Sequence, residues 1–197
     1  MPQGIAYVTQ HVPQLLEDAS HELPGSFRCL VERVLEHLRL LHHQLEEIEA
    51  QIQAWHRENA LSQRVEKIPG IGYLTASALV ATIGDAKNFD NGRQLAAWLG
   101  LVPRQHSSGG KQNLLGMSKR GDAYLRTLMI HGARSVIYRV VQKADPRSWA
   151  FSVAIRRNKN VAAVALANKS ARIVWAILAH DRSFRPDYAV ASAAVAV

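Results

Sequence analysis

The sequence is short of cysteine, of proline and glycine, and of long apolar runs, and each shortage removes a class of protein. Cys29 is the single cysteine, so neither an intrachain disulfide nor a cysteine-cluster zinc site can form, which fits a reducing compartment. By itself Cys29 reads as a small core residue of a helix. Twelve glycines and seven prolines, with 20% charged residues, exclude collagen-like, wholly disordered and disulfide-scaffold chains. The longest apolar stretches, 161–167 and 189–197, fall well below the roughly 20 residues that span a bilayer, so neither a transmembrane helix nor a membrane partner is expected. The opening MPQGIAYVTQHV lacks the basic and apolar regions of a secretory signal. The expected location is the cytoplasm, with the nucleoid. What remains is a chain of 197 residues, 48% hydrophobic, enough for one ordinary domain or two small ones.

Charge is divided along the chain. Residues 1–66 hold ten acidic and five basic side chains, residues 67–197 six acidic and nineteen basic, within an overall balance of +8. Between Arg104 and Arg172, fourteen basic residues are set against Asp122 and Asp145 alone. A face so charged attracts polyanions, nucleic acid first among them; the plainer alternative is a solvated basic surface without a partner.

The acidic part carries an unbroken heptad. Phe27, Val31, Val34, Leu38, Leu41, Leu45, Ile48, Ile52 and Trp55 are spaced alternately by four and three, the seam of a coiled coil. Ser26 is its expected N-cap, after the turn at Leu23-Pro24-Gly25, and the helix should end near Asn59. Such a seam needs a partner helix: another copy, the weaker helical segment at 12–23, or a segment elsewhere. Self-association to a homodimer or tetramer is favoured, through Val31, Val34, Leu38, Leu41, Leu45, Ile48 and Ile52. His37, His42 and His43 form no i,i+4 pair and no further ligand completes a set, so no metal site is expected.

Ile68-Pro69-Gly70-Ile71-Gly72 separates two helical stretches within 65–84 and resembles a helix-hairpin-helix. In that motif glycines allow the tight turn, and free N–H groups opening the second helix hold a phosphate oxygen. Gly70, Gly72 and Thr75 are the expected phosphate-binding positions. Contacts of this kind read backbone, not bases; an αα-turn without ligand is the plainer reading. Asp90 or Asn91 should cap a short helix over 93–99 in which Ala96, Trp98 and Leu99 are core.

Residues 105–118, QHSSGGKQNLLGMS, read as a flexible polar loop, the kind of segment that carries function. Ser118-Lys119-Arg120-Gly121-Asp122 then opens a helix from Ala123 to about Lys143. Its apolar face holds Leu125, Leu128, Met129, Ala133, Val136, Ile137 and Val140, and Lys119, Arg120, Arg126, Arg134 and Arg139 can line a phosphate track. Asp145-Pro146 should start a helix through Arg157, and 160–180 another, with Val161, Val164, Ile173, Val174, Ile177 and Leu178 apolar. The expected fold is mainly all-α: a helical, coiled-coil dimerisation segment at 1–59, a compact helical domain at 60–182 containing the hairpin and the Ser/Gly loop, and a disordered tail at 183–197.

Taken in order, IPGIGYLTASALVATIGDAKNF, QLAAWLGLVPRQHSSGGK and SKRGDAYLRTLMIHGA resemble the C-terminal half of the "IS one-ten" family of insertion-sequence transposases, the DEDD-plus-serine recombinases. The resemblance covers about 60–180, and the heptad helix fits the family's middle segment. It implies DNA cutting and rejoining by a catalytic serine, assisted by a resolvase-like domain whose four carboxylates bind magnesium and guided by an element-encoded RNA. Ser108 matches the family's Ser-Gly pair and is the expected nucleophile, with Ser107 the second choice. Attack on phosphorus gives a phosphoserine that conserves the bond for rejoining; Lys111, Lys119 and Arg126 would stabilise the developing oxyanions. A serine needs a base or a metal to activate it, and the metal is the better candidate than His106.

The carboxylate-bearing domain has no counterpart before residue 60. Asp85, Asp90 and Asp122 sit in turn or cap contexts, so magnesium is expected in the complete enzyme and not on this chain alone. Met1 reads as the start of a truncated frame or fragment that should not complete transposition by itself. The alternative function is a non-catalytic, dimeric helix-hairpin-helix DNA-binding module able to inhibit a full-length transposase; a third reading is a structural coiled-coil protein.

Overall fold

The computed structural model describes residues 4–18, 23–106, 113–143 and 148–185. The fold is mainly helical, with one two-stranded sheet among the described residues. Two units divide the chain at 51/52, inside its longest helix.

The first unit holds α1 (Ile5–Glu17) and most of α2 (Gly25–Glu58). The Phe27 and Arg28 amides donate to the Pro24 carbonyl at 3.0 and 3.1 Å. Pro24 therefore occupies the cap position, and Ser26, the expected N-cap, lies within the first turn. The Arg28 guanidinium reaches the Leu16 carbonyl, and Arg39 donates to the Thr9 carbonyl at 3.4 Å. Leu16 and Leu35 are buried. These contacts use a flank of α2 beside the heptad seam and leave much of the seam open. Val34 is 68% exposed, Leu41, Leu45 and Ile48 are exposed, and Val31, Leu38 and Ile52 are half-buried. His42 and His43 pair with Glu46 and Glu47 one turn on, at 3.3 and 3.4 Å.

The second unit is built around α8 (Lys159–His180), against which α5 (Gly92–Trp98), α6 (Ala123–Lys143) and α7 (Trp149–Arg156) pack. Ala162, Ala163, Ala167, Ala171 and Val174 are fully buried. Alanine lets helices approach closely, and Gly92 rests on the Arg172 backbone where a Cβ would come within 2.9 Å of its Cα. By length and composition α8 could cross a membrane; interruption by Asn168 and Lys169 hides this in a count of apolar runs. Here its apolar stripe is core. Asn168 donates to the Leu101 carbonyl at 3.2 Å, and the Trp175 indole to that of Phe89 at 2.9 Å.

Several local expectations change. Trp98 is 38% exposed and meets Phe89 edge-on instead of joining Ala96 and Leu99 in the core. Val161 is exposed, its neighbours Ala162 and Ala163 taking the buried positions. Ser148, not Asp145, caps α7 by accepting from the Phe151 amide at 3.4 Å; Asp145 and Pro146 lie outside the described residues. The stretch expected to be loop, 105–118, holds the end of β1 (Pro103–Gln105) and all of β2 (Leu114–Met117), which pair antiparallel.

One buried joint had no sequence signal. His56, in the last turn of α2, lies 2.7 Å from Ser62 Oγ and 3.0 Å from Glu66 Oε2, and Ser62 Oγ lies 3.4 Å from Ser77 Oγ. Serine, histidine and carboxylate are in line, but Ser62 is fully buried, so no substrate reaches it. The cluster ties the end of α2 to α3 (Ala60–Glu66) and α4 (Tyr73–Ile83) while satisfying polar groups inside the core.

Candidate nucleic-acid interface

A turn over 67–72 joins α3 to α4, where the sequence places a hairpin. The Ile68 amide donates to the Val65 carbonyl and the Ile71 amide to that of Ile68, at 3.1 and 3.0 Å. Gly72 is the N-cap of α4, without a side-chain cap bond, and nothing lies within 4 Å of where its Cβ would be. The first N–H groups of this eleven-residue helix thus have no side-chain cap at the positive end of its dipole. Gly70 has another task. Its φ is +87°, and a Cβ there would lie 2.6 Å from the Gly132 carbonyl oxygen on α6; the turn is wedged onto that helix. Thr75 is buried, with 8% exposed. Lys67, which the sequence reading passed over, is exposed at the turn.

Next comes the strand pair. The His106 amide donates to the Asn113 carbonyl at 2.9 Å, closing the ladder above the pairs Pro103 with Met117 and Gln105 with Leu114. Between these ends run residues 107–112; Ser107, Ser108 and Lys111 lie outside the described residues. At the base, the Ser118 amide donates to the Val102 carbonyl at 2.8 Å. Gly100 sits against the Arg120 backbone and Gly121 against the Trp98 carbonyl, both glycines at positive φ. This crossing of two chain segments exposes Lys119 and Arg120 beside the strand pair.

Arg126 is turned to the same crossing. Its Nη1 donates to the carbonyls of Leu99 and Gly121 at 3.3 Å and of Asp122 at 3.4 Å, binding the end of α5 to the start of α6. Arg134 and Arg139 remain exposed on α6. The aspartates act as caps: Asp122 accepts from the Leu125 amide and Asp85 from that of Lys87, at 2.8 and 2.9 Å. Asn91 rather than Asp90 caps α5, accepting at 3.0 and 3.1 Å. Among the described residues no three His, Cys, Asp or Glu side chains group to hold a metal ion.

A groove of about 1680 Å³ runs through this unit, lined by Pro69 of the hairpin, Pro103 and Met117 of the strands, and Trp149, Val161 and Phe184. Lys169 Nζ caps the Trp149 ring at 4.7 Å. The hairpin, the stem of the serine loop and the basic C-terminal helices therefore border one surface.

Residues 62–148 match the model of the Transposase IS116/IS110/IS902 family. That segment belongs to the family. Over 165 residues it is 51% identical to a "Probable family 20 transposase" of Pseudomonas aeruginosa, covering 83% of this chain and 49% of that protein. With the transposase for insertion sequence element IS1111A of Coxiella burnetii it shares 41% over 186 residues, 94% of this chain and 51% of the other. The transposase for insertion sequence element IS1328 of Yersinia enterocolitica is 41% identical over 187 residues, 93% of this chain and 54% of its own length. The chain thus spans about half the length of these transposases. The family match covers both the hairpin and the strand pair.

Proposed function

We propose that this chain supplies the DNA-binding and serine-bearing part of an insertion-sequence transposase. The observation that carries the reading is the adjacency just described: the strands closing on 107–112 share their base with the crossing that exposes Lys119 and Arg120. In this reading the α4 N-terminus at Gly72, with Lys67, holds a DNA phosphate and so sets the register of the duplex. Ser108 Oγ then attacks a phosphorus in line. The Oγ–P bond forms as the P–O bond to the leaving sugar oxygen breaks, and that oxygen takes up a proton as the serine proton is lost. The reverse attack by a sugar hydroxyl frees the serine and rejoins the strand. Lys111, Lys119 and Arg120 stabilise charge on the phosphoryl oxygens. Arg126 acts one step back, as the staple beneath Lys119 and Arg120. In this reading the carboxylates that would hold magnesium belong to another part of the assembly. Guide RNA is a proposed second partner, on the same basic surface.

Self-association through the open seam of α2 belongs to the same proposal, as does action at the nucleoid. A dimeric, non-catalytic module that inhibits a longer transposase is the second reading, favoured by the exposure of that seam. Labelled element-end DNA, incubated with the chain, the remaining transposase segment and Mg²⁺, separates the two. The first reading expects a denaturation-resistant protein–DNA adduct that disappears in Ser108→Ala and survives in Ser107→Ala. An adduct unchanged in Ser108→Ala overturns the nucleophile, and DNA binding without any adduct favours the second reading.

A further inference from the structure

The outward face of α6 is unlike the rest of the second unit. Tyr124, Thr127, His131, Arg134 and Tyr138 follow one another at spacings of three and four residues, so they share one stripe of the helix. Tyr124 is 57% and Tyr138 63% exposed, and the three residues between them are exposed as well. Tyr124 and Tyr138 are separated by about 21 Å along the axis, with His131 midway. Arg139 flanks the stripe on the side of Val136, which touches the hairpin at Gly70. No Asp or Glu lies on α6, α7 or α8.

We propose that this face binds an unpaired nucleic-acid strand, its bases stacking on Tyr124, His131 and Tyr138 and its phosphates pairing with Arg134 and Arg139. The inference rests on the reading that the chain binds nucleic acid, and it adds a second site with a different preference. Three arguments favour an unpaired strand. A helix whose stripe holds five basic or hydroxyl side chains and no carboxylate complements a polyanion. Exposed rings offer stacking to bases with a free face, which those inside a duplex lack, and stacking is indifferent to sequence. The stripe contains no Leu, Ile, Val or Met, the residues through which a helix face docks on protein. Because Gly70 is wedged onto Gly132, the surface adjoins the phosphate-holding hairpin, so duplex and unpaired strand meet on neighbouring elements.

The test uses the full chain with a fluorescein-labelled 20-nucleotide mixed-sequence single strand and the blunt duplex of the same sequence, followed by anisotropy. The Tyr124→Ala/Tyr138→Ala variant should bind the single strand at least about tenfold more weakly while its duplex affinity stays within about twofold, because the hairpin is untouched. Tyr124→Phe/Tyr138→Phe, which keeps the rings, should restore single-strand binding. The circular dichroism melt of each variant should match the parent, both tyrosines being exposed. Unchanged single-strand binding in the alanine variant, or an equal fall for both probes, overturns this surface alone when the parent chain binds duplex. A parent chain that binds neither probe at low salt overturns the proposed function and this surface with it.

Discussion

The two units place their apolar residues in opposite ways. In the second, Leu79, Leu95, Leu99 and Leu125 are wholly enclosed, and even polar groups such as Ser62 find partners inside. In the first, Leu16 and Leu35 are the buried hydrophobics among the described residues, while a regular apolar seam faces outward. Close packing stabilises the second from within, whereas a two-helix unit has little interior to bury and depends on what it meets. Periodicity alone therefore does not make a core; it makes a face, and the surroundings decide whether that face is filled.

Three changes would sharpen this contrast. The largest is expected from Gly132→Val. A side chain there runs into the Gly70 carbonyl, and overpacking against rigid backbone costs about 3 kcal/mol or more. The melt of the second unit should fall by many degrees, and duplex binding should fall with it; a parent-like melt would show that the hairpin can part from α6 at little cost. Next, Leu45→Asp on the open seam should convert an associated form to monomer in light scattering while leaving the second unit's melt within about 0.5 kcal/mol. Unchanged mass would mean that α2 is not the association element. The smallest effect belongs to Lys119→Gln, which should leave folding intact and reduce the slope of log K against log salt for duplex DNA by about 0.9, the loss of one phosphate contact. An unchanged slope would place Lys119 away from the DNA.

Much of the layout was legible. The bounds of α6 follow from its period and from Asp122 before it, and α5 from Asn91, since caps and stripes are local properties. Features that depend on distant partners were not. Nothing near Arg126 in sequence reveals that its guanidinium ends on Leu99, and a phosphate contact is the natural reading of an isolated arginine. The alanine stripe of α8 was underrated because alanine carries little hydrophobic weight, although it decides how near two helices come. Trp98 was placed in the core by size, yet large rings are seldom fully enclosed. The strand pair escaped because three or four residues hold too little alternation to show. At the candidate site a turn does separate the two helices, but its two glycines differ: Gly72 stands at the N-cap of α4 and Gly70 makes the joint with α6.

That joint has a mechanical meaning. Gly70 meets Gly132 through backbone, with the Val136 side chain beside them, and a backbone-to-backbone contact has no rotamer of its own to change. Whatever Gly72 grips and whatever lies along α6 are held at a fixed offset, like two jaws cut from one block. Strain applied to one would be felt at once by the other.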